Sequence, residues 1–223
     1  MTQNESNLLR QCAAIASSTW SDALDALGIA GVIRDIPRRS GRGRIAGFAA
    51  TARHVSGELG DFDRADFAVG RLVAASGPGI VLMIDAGGAA ISTFGGIASL
   101  AAVRRGATAV VIDGACRDVD EIQATGLWLA SRWVTPVTGK TRLRLQAMGG
   151  PVTIGGVAVS QGDLVVGDET GLVVVPRGRI DEALAAACEA MAVDDRVEAG
   201  IRAGLSFAEA AAKANYIPAK REG

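Results

Sequence analysis

The chain has 223 residues, 49% hydrophobic and 21% charged, with a formal net charge of −1. This length supports an ordinary hydrophobic core, and the composition is typical of soluble globular proteins. The balanced charge does not indicate a nucleic-acid-binding surface. The apolar runs are shorter than the about 20 residues that cross a bilayer. The N-terminus also lacks the basic and apolar regions of a signal peptide, so we expect a cytoplasmic protein with no membrane partner.

The cysteines and the single histidine limit the types of site that the chain can form. Cys12, Cys116 and Cys188 are widely separated and form no CxxC pair, so we expect reduced, mostly buried thiols. Cys116 retains some interest because it adjoins an arginine. His54 is the only histidine, which argues against a His-rich zinc site and a Ser-His-Asp triad. Any metal would be a hard cation held by carboxylates and water.

The first half of the chain predicts alternating helices and strands. "SSTWSDALDALG" reads as a helix with its N-cap at 17, 18 or 19 and its end at Gly28. "IAGFAATARHV" is strand-like, and "RADFAVGRLVAAS" predicts a short helix. "IVLMID" and "TAVVID" predict buried strands. "STFGGIASLAAVRRGA" and "RDVDEIQATG" predict the helices that follow them.

The second half predicts short strands and then helices. "VTIGGVAVSQGDLVVGDETGLVVVP" is divided by Gly-Gly, Gln-Gly-Asp and Glu-Thr-Gly turns, as in consecutive hairpins. An Ala-rich amphipathic helix is expected from 177 to about 199, followed by a short helix in "SFAEAAAKA". No linker or change in composition divides the chain. We therefore expect one α/β domain, residues 1–223, with mixed β/β/α layering.

Two glycine-containing stretches resemble nucleotide-binding motifs but do not match them. "TPVTGKT" ends like a phosphate-binding loop, yet Val134 stands where that motif needs its first glycine. "SGRGRIAG" lacks the dinucleotide-binding pattern and does not lie between a strand and a helix. Both stretches are predicted to be turns.

The turns after the two buried strands are the best candidates for a site, because ligands bind beyond the carboxyl ends of strands in α/β sheets. If these strands are neighbours, "AGG", which contains Gly88, and "GACRD" line one crevice. Arg117 could bind a carboxylate there, and Asp118 could hold a divalent cation. The structural alternative is that Asp118 caps its helix and Arg117 forms a surface ion pair.

A family resemblance favours the site. The segment "GGAAISTFGGIASLAAVRRGATAVVIDGACRD" resembles the family of 4-hydroxy-4-methyl-2-oxoglutarate aldolases and the regulator of ribonuclease activity A. "SDALDALGIAGV", "GGVAVSQGDLVVGDETGLVVVP" and "GLSFAEAAAKANYI" extend the resemblance over nearly the whole chain. It implies a swivelling β/β/α domain that assembles into trimers or hexamers. The C-terminal helices in 177–213 are expected to contribute to the interface.

The resemblance also implies roles for individual residues. Arg117 would bind the carboxylate of a pyruvyl unit, and Asp118 would hold Mg²⁺ or Mn²⁺ largely through water. The backbone amides of Gly96, Ile97 and Ala98 would bind the same carboxylate.

The remaining acidic groups of the family site are less well matched. The acidic pair that a neighbouring subunit contributes corresponds to Asp194 and Asp195, where the family usually has two glutamates. One departure concerns proton transfer, because Gly96 stands where the aldolases carry an acid. Proton delivery would therefore need another donor.

The expected activity is divalent-metal-dependent cleavage of 4-hydroxy-2-oxo acids to pyruvate, with oxaloacetate decarboxylation through the same enolate. A Schiff-base mechanism would need a lysine in a dry pocket, and the chain offers only Lys140, Lys213 and Lys220. Two alternatives remain open. One is a non-catalytic regulator of a ribonuclease or another protein, and the other is a lyase or hydratase for a different hydroxy acid.

Overall fold

The computed structural model describes residues 1–216. Its helices are α1 (Gln3–Ala14), α2 (Ser17–Ala26), α3 (Val69–Ala75), α4 (Gly96–Arg104), α5 (Val119–Thr125), α6 (Ile180–Arg202) and α7 (Phe207–Ala214). Short 3₁₀ turns precede α3 at Arg64–Phe67 and α6 at Arg177–Arg179. No helix within residues 1–216 is long and apolar enough to span a membrane.

The strands form one large mixed sheet and a separate hairpin. They are β1 (Val32–Ile33), β2 (Arg38–Ser40), β3 (Ile45–Ser56), β4 (Ile80–Asp85), β5 (Ser92–Phe94), β6 (Ala109–Cys116), β7 (Leu129–Val134), β8 (Leu143–Met148), β9 (Val152–Ile154), β10 (Val157–Val159), β11 (Leu164–Gly167) and β12 (Leu172–Val175). The large sheet runs β1-β12-β11-β3-β4-β6-β7-β2, with β5 beside β6 and β8 beside β3. Strands β3, β4, β6 and β7 are parallel neighbours, and β9 pairs with β10 alone.

Alternation along the central strands produces the three layers. On β4, Val81 and Met83 face a core shared with the β9–β10 hairpin. Leu82 and Ile84 point to the opposite face, into a core shared with α3, α4 and α5. Helices α1, α2 and α6 cover that same face at the other end of the sheet. The hairpin, the sheet and the helices therefore form the predicted β/β/α arrangement, and burying each large apolar side chain contributes about 1.5–3 kcal/mol.

Several predicted boundaries are shifted in the structure. The expected N-cap of α2 at residues 17–19 is wrong. Ala16 holds the cap position, and Ser17 donates its backbone N–H (2.9 Å) and its hydroxyl (2.6 Å) to Asp168. The segment predicted as the start of α4 begins as strand β5, because Ser92 and Phe94 pair with the end of β6. Helix α6 begins and ends three residues later than predicted, at Ile180 and Arg202.

Candidate active site

The site forms where β5 and β6 end side by side. Phe94 is paired with Cys116 in the sheet, and the N–H of Arg117 donates to the Phe94 carbonyl oxygen at 3.1 Å. Helix α4 begins shortly after β5, and helix α5 begins shortly after β6. This pairing therefore places the start of α4 against Arg117 and Asp118. The two strands predicted to be neighbours, β4 and β6, are also adjacent and parallel.

Asp118 holds the two helix starts together. Its backbone is left-handed, with φ of 54° and ψ of 48°, a conformation that aspartate tolerates better than most residues. Its carboxylate accepts the N–H of Gly96 at 3.1 Å and lies 3.4 Å from Nε of Arg117. Asp118 occupies the N-cap position of α5, but its side chain makes no cap hydrogen bond to that helix. It binds the start of α4 instead, and both charged side chains remain more than one-third exposed.

The start of α4 presents backbone amides beside this ion pair. The first hydrogen bond within the helix runs from the Ser99 N–H to the Gly95 carbonyl oxygen at 2.9 Å. The amides before Ser99 lie at the positive end of the helix dipole and have no acceptor within the helix. Asp118 uses the amide of Gly96, so the amides of Ile97 and Ala98 remain at this helix start to receive an anion.

A cavity of about 360 Å³ extends from this ion pair between α3, α4 and the turn after β7. Its charged lining residues are Arg117, Asp118 and Lys140. Most of its other walls are apolar and include Phe67, Val69, Val73, Phe94, Ile97, Ala98 and Ala101. The cavity is within the size range of small-molecule sites.

Lys140 is the one charged residue of the cavity lining that the sequence motifs did not predict to be there. It lies in "TPVTGKT", for which only a turn is predicted. The turn is present, but Ser92 pairs with Thr138 and places it along the cavity. Of the other lysines, Lys213 is exposed on α7, and Lys220 lies outside the described residues.

Two glycines allow the close approach of α4 to α5. A Cβ atom on Gly95 would lie 2.5 Å from the Asp118 carboxylate. One on Gly96 would lie 2.7 Å from Cβ of Glu121 and 3.6 Å from Cβ of Asp118. An acidic side chain therefore cannot be added at position 96 unless α5 shifts. Glycine therefore stands at position 96, where the family pattern has an acid, and Glu121 of α5 occupies the space beside it.

Gly88 lies apart from this cavity. A Cβ atom on Gly88 would have Arg132 and Asp113 as its nearest neighbours, at 3.7 and 3.8 Å. Asp113 pairs with Nε of Arg132 at 2.7 Å and accepts the N–H of Gly155 from the β9–β10 turn at the same distance. This ion pair raises the pKa of the Arg132 guanidinium. The Asp113 carboxylate, within β6, therefore anchors the hairpin layer.

Asp194 and Asp195 lie on α6, outside the lining of this cavity in a single subunit. Asp194 is half-buried and accepts a long hydrogen bond from the Thr19 hydroxyl at 3.4 Å, whereas Asp195 is exposed.

Cys116 is buried beneath the site and does not have the properties of a nucleophile. Burial raises the pKa of its thiol, and a hydrogen bond with the Ser131 hydroxyl at 3.3 Å opposes that shift only in part. All three cysteines are free. Cys12 and Cys116 are buried, as expected, whereas Cys188 is exposed.

The donor set fits a water-rich cation site rather than a closed protein cage. No group of three or more His, Cys, Asp or Glu side chains within residues 1–216 could hold a metal ion. Asp118 nevertheless presents a partly exposed carboxylate on the cavity wall. Hard divalent cations such as Mg²⁺ bind through one or two carboxylates and retain several waters, which suits this arrangement.

The fold and this site define the class of protein. The family profile RraA-like (Aldolase/RraA) matches residues 17–174. The chain therefore belongs to the RraA-like family.

The relatives include proteins named as putative aldolases and a protein with a different name. A "Putative 4-hydroxy-4-methyl-2-oxoglutarate aldolase" of Halalkalibacterium halodurans is 29% identical over 90% of this chain and 91% of its own length. A protein of the same name from Thermus thermophilus is 31% identical over 61% of this chain and 78% of its own. Protein DlpA of Legionella pneumophila is 28% identical over 92% of this chain, which spans only 33% of that protein.

Solved structures support the fold. An uncharacterized protein from Pseudomonas syringae has a TM-score of 0.83 and 27% identity, covering 93% of this chain and 94% of its own. RraAS2 of Streptomyces coelicolor, described as an unusual member of the RNase ES inhibitor RraA protein family, has a TM-score of 0.76 and 26% identity. That match covers 85% of this chain and 95% of the neighbour.

Proposed function

We propose that this protein is a divalent-metal-dependent aldolase that cleaves 4-hydroxy-2-oxo acids, such as 4-hydroxy-4-methyl-2-oxoglutarate, to pyruvate. The observation that carries the proposal is the cavity shared by Arg117, Asp118 and the first turn of α4. An arginine and helix amides on one wall suit a carboxylate, and an aspartate beside them suits a hard cation. The aldolase names of several relatives favour the same chemistry.

In the proposed reaction, the guanidinium of Arg117 and the amides of Ile97 and Ala98 bind the 1-carboxylate of the substrate. This fixes the 2-oxo group and adds positive potential where the enolate charge develops. The bond between C3 and C4 breaks, and the 4-hydroxyl group loses its proton and becomes a carbonyl. The electron pair left on C3 forms the enolate of pyruvate, which then takes up a proton at C3.

Oxaloacetate would give the same enolate. In that case, the bond between C3 and C4 breaks with loss of CO₂. The same carboxylate-binding groups would serve both substrates.

Asp118 would hold the cation, Mg²⁺ or Mn²⁺, with water completing its coordination. When bound, a divalent cation acts as a Lewis acid that stabilises negative charge on the 2-oxo oxygen by several kcal/mol. Arg117 and the Gly96 N–H orient the Asp118 carboxylate through the same carboxylate oxygen, from 3.4 Å and 3.1 Å away.

The proposal includes assembly into a trimer or hexamer that completes the site. Asp194 and Asp195 of a neighbouring subunit would then supply acidic groups that one chain does not place at the cavity. Several apolar side chains on and near the cavity walls are at least half exposed, which supports an interface there: Ile97, Leu100 and Val134. Exposed apolar residues of the C-terminal helices, such as Phe207, offer a second contact surface.

A cytoplasmic location remains part of the proposal.

A coupled assay for pyruvate tests the activity. We expect release from 4-hydroxy-4-methyl-2-oxoglutarate or oxaloacetate that stops with EDTA and returns when Mg²⁺ or Mn²⁺ is added in excess. The Asp118→Asn variant should need a higher concentration of metal ion for the same rate. Turnover that is unaffected by EDTA would rule out the proposed chemistry.

Gly96 favours a second candidate function, that of a non-catalytic regulator. The aldolase acid is absent there, and solved neighbours include the RNA-processing inhibitor RraA from Thermus. A regulator would bind a ribonuclease or another protein without turning over any 2-oxo acid. Absence of turnover across a panel of 2-oxo acids, together with a stoichiometric complex with a purified ribonuclease, would favour this function.

A further inference from the structure

The cavity lining contains a second positively charged side chain besides that of Arg117. Arg117 lies beside Asp118, with 3.4 Å between Nε and the carboxylate. Lys140 lines the same cavity, and no carboxylate of residues 1–216 lies within 4.0 Å of its ammonium group. Within one chain, the cavity lining carries two positive charges, on Arg117 and Lys140, and one negative charge, on Asp118. The site therefore suits a ligand with more than one negative charge.

The turn that carries Lys140 is held firmly against the cavity. The Leu143 N–H donates to the Gly139 carbonyl oxygen at 2.8 Å, and the Lys140 N–H donates to the Thr138 hydroxyl at 3.2 Å. Gly139 has no room for a side chain, because a Cβ atom would lie 2.5 Å from both Phe67 and the Ser92 carbonyl oxygen. The backbone of Lys140 is thus fixed, although its side chain is exposed.

The neighbouring backbone supports a functional turn. Thr141 is left-handed, with φ of 63°, which is unfavourable for a β-branched residue. Strained backbone of this kind persists where the surrounding structure holds it, and it is concentrated at binding sites. Its carbonyl oxygen accepts the N–H of Gly60 at 3.2 Å and that of Phe62 at 3.3 Å, which secures the turn from outside the cavity.

We propose that Lys140 is a specificity-determining residue whose ammonium group binds the carboxylate at the far end of a dicarboxylate substrate. This inference rests on the proposed function, in which Arg117 and the α4 amides bind the carboxylate next to the 2-oxo group. The apolar walls, such as Val73 and Ala101, contact the carbon chain between the two carboxylates. Lys140 thereby distinguishes 2-oxo dicarboxylates from 2-oxo monocarboxylates.

Two uncleavable probes of equal length test the inference. The probe 2-oxoglutarate carries a second carboxylate, and 2-oxopentanoate carries a methyl group in its place. Calorimetric titration with Mg²⁺ present should give a Kd at least about tenfold lower for 2-oxoglutarate with the wild-type protein. Lys140→Met should abolish this preference without weakening 2-oxopentanoate binding, whereas Lys140→Arg should retain it. Lys213→Met, on the distant helix α7, is the matched control and should bind as wild type does.

The results separate this inference from the proposed function. Equal affinities of the wild-type protein for the two probes, or an unchanged preference in Lys140→Met, would overturn the role of Lys140 alone. A wild-type protein that binds neither probe would overturn both proposals. A preference that depends on Lys140 in a protein without pyruvate release would support the binding role and overturn the lyase activity.

Discussion

Gly96 illustrates which features of a single position can be predicted from the sequence and which require the structure. The sequence identifies the missing acid, because the surrounding motif is recognisable around it. Sequence spacing does not reveal that Glu121 fills the adjacent space, since the pairing of β5 with β6 brings α4 and α5 together. The role of Asp118 was ambiguous for the same reason, because its hydrogen-bond partner belongs to another helix.

The contact between Gly96 and Glu121 can be measured with a double-mutant cycle. We expect Gly96→Ala to lower the free energy of unfolding by about 1–3 kcal/mol, because its Cβ atom would lie 2.7 Å from that of Glu121. Glu121→Gly removes the opposing Cβ atom, so the double variant should be more stable than the sum of the two single changes predicts. Urea unfolding measures all three variants.

Gly178→Ala is the control for the cycle, because a Cβ atom there meets nothing within 4 Å. It should leave the free energy of unfolding within about 0.5 kcal/mol of the wild-type value. Strict additivity of the Gly96 and Glu121 changes would contradict the described packing of α4 on α5.

At the scale of elements, most helices and buried strands are predictable from hydrophobic period, but their ends are set by distant partners. Strand β8 alternates apolar and polar residues, and α1 begins with the capping box of Thr2 and Glu5, so the sequence carries local signals for both elements. The cap of α2 carried no local signal, because it comes from Asp168 in the turn between β11 and β12.

We expect Asp168→Ala to lower the free energy of unfolding by about 2 kcal/mol, since it removes charge-assisted bonds to both Ser17 donors. Burial alone would raise the pKa of Asp168, but the hydrogen bonds from Ser17, Thr170 and Gly171 outweigh it and hold the pKa below its usual value. The wild-type advantage should therefore be present at neutral pH and be lost as the pH falls through this depressed pKa. Urea titrations at several pH values measure it.

Asp22→Ala is a matched control, because this exposed carboxylate lies on the same helix and has no cap role. It should change stability by less than about 0.5 kcal/mol. Equal losses from the two variants would argue against capping by Asp168.

At the scale of the whole molecule, the order of the layers follows from the alternating directions of side chains along the strands. The complete site cannot be predicted in this way. The alternating residues of β4 fix which face meets the hairpin and which meets the helices. In contrast, the cavity depends on the turn of Lys140 crossing to β5, a long-range pairing without a sequence signature. The acidic groups expected from another subunit are likewise beyond the geometry of one chain.

The only histidine, His54, predicts that mild acid lowers the stability of the fold. Burial lowers the pKa of His54, against a weaker opposing effect of its 3.4 Å contact with the Phe67 carbonyl oxygen. The unfolded chain therefore takes up this proton at a higher pH than the folded chain does. The free energy of unfolding should fall as the pH drops below about 6.5 toward the lowered pKa of the folded state.

Urea unfolding at pH 7.5, 6.5 and 5.5 checks this dependence. The His54→Leu variant should lose most of the change between pH 6.5 and 5.5, because no other imidazole is present. A wild-type stability that rises over this interval as the pH falls would contradict the assignment.

The central claim is that Arg117 binds the carboxylate of a 2-oxo acid during pyruvate release. The most direct test is the kcat/KM of wild type, Arg117→Ala and Arg104→Ala for 4-hydroxy-4-methyl-2-oxoglutarate with saturating Mg²⁺. Arg104 lies in the last turn of α4, away from the cavity, and serves as the matched control. The account predicts a loss of at least about 100-fold in Arg117→Ala and a change of less than about twofold in Arg104→Ala. An Arg117→Ala variant that releases pyruvate as fast as wild type would contradict it.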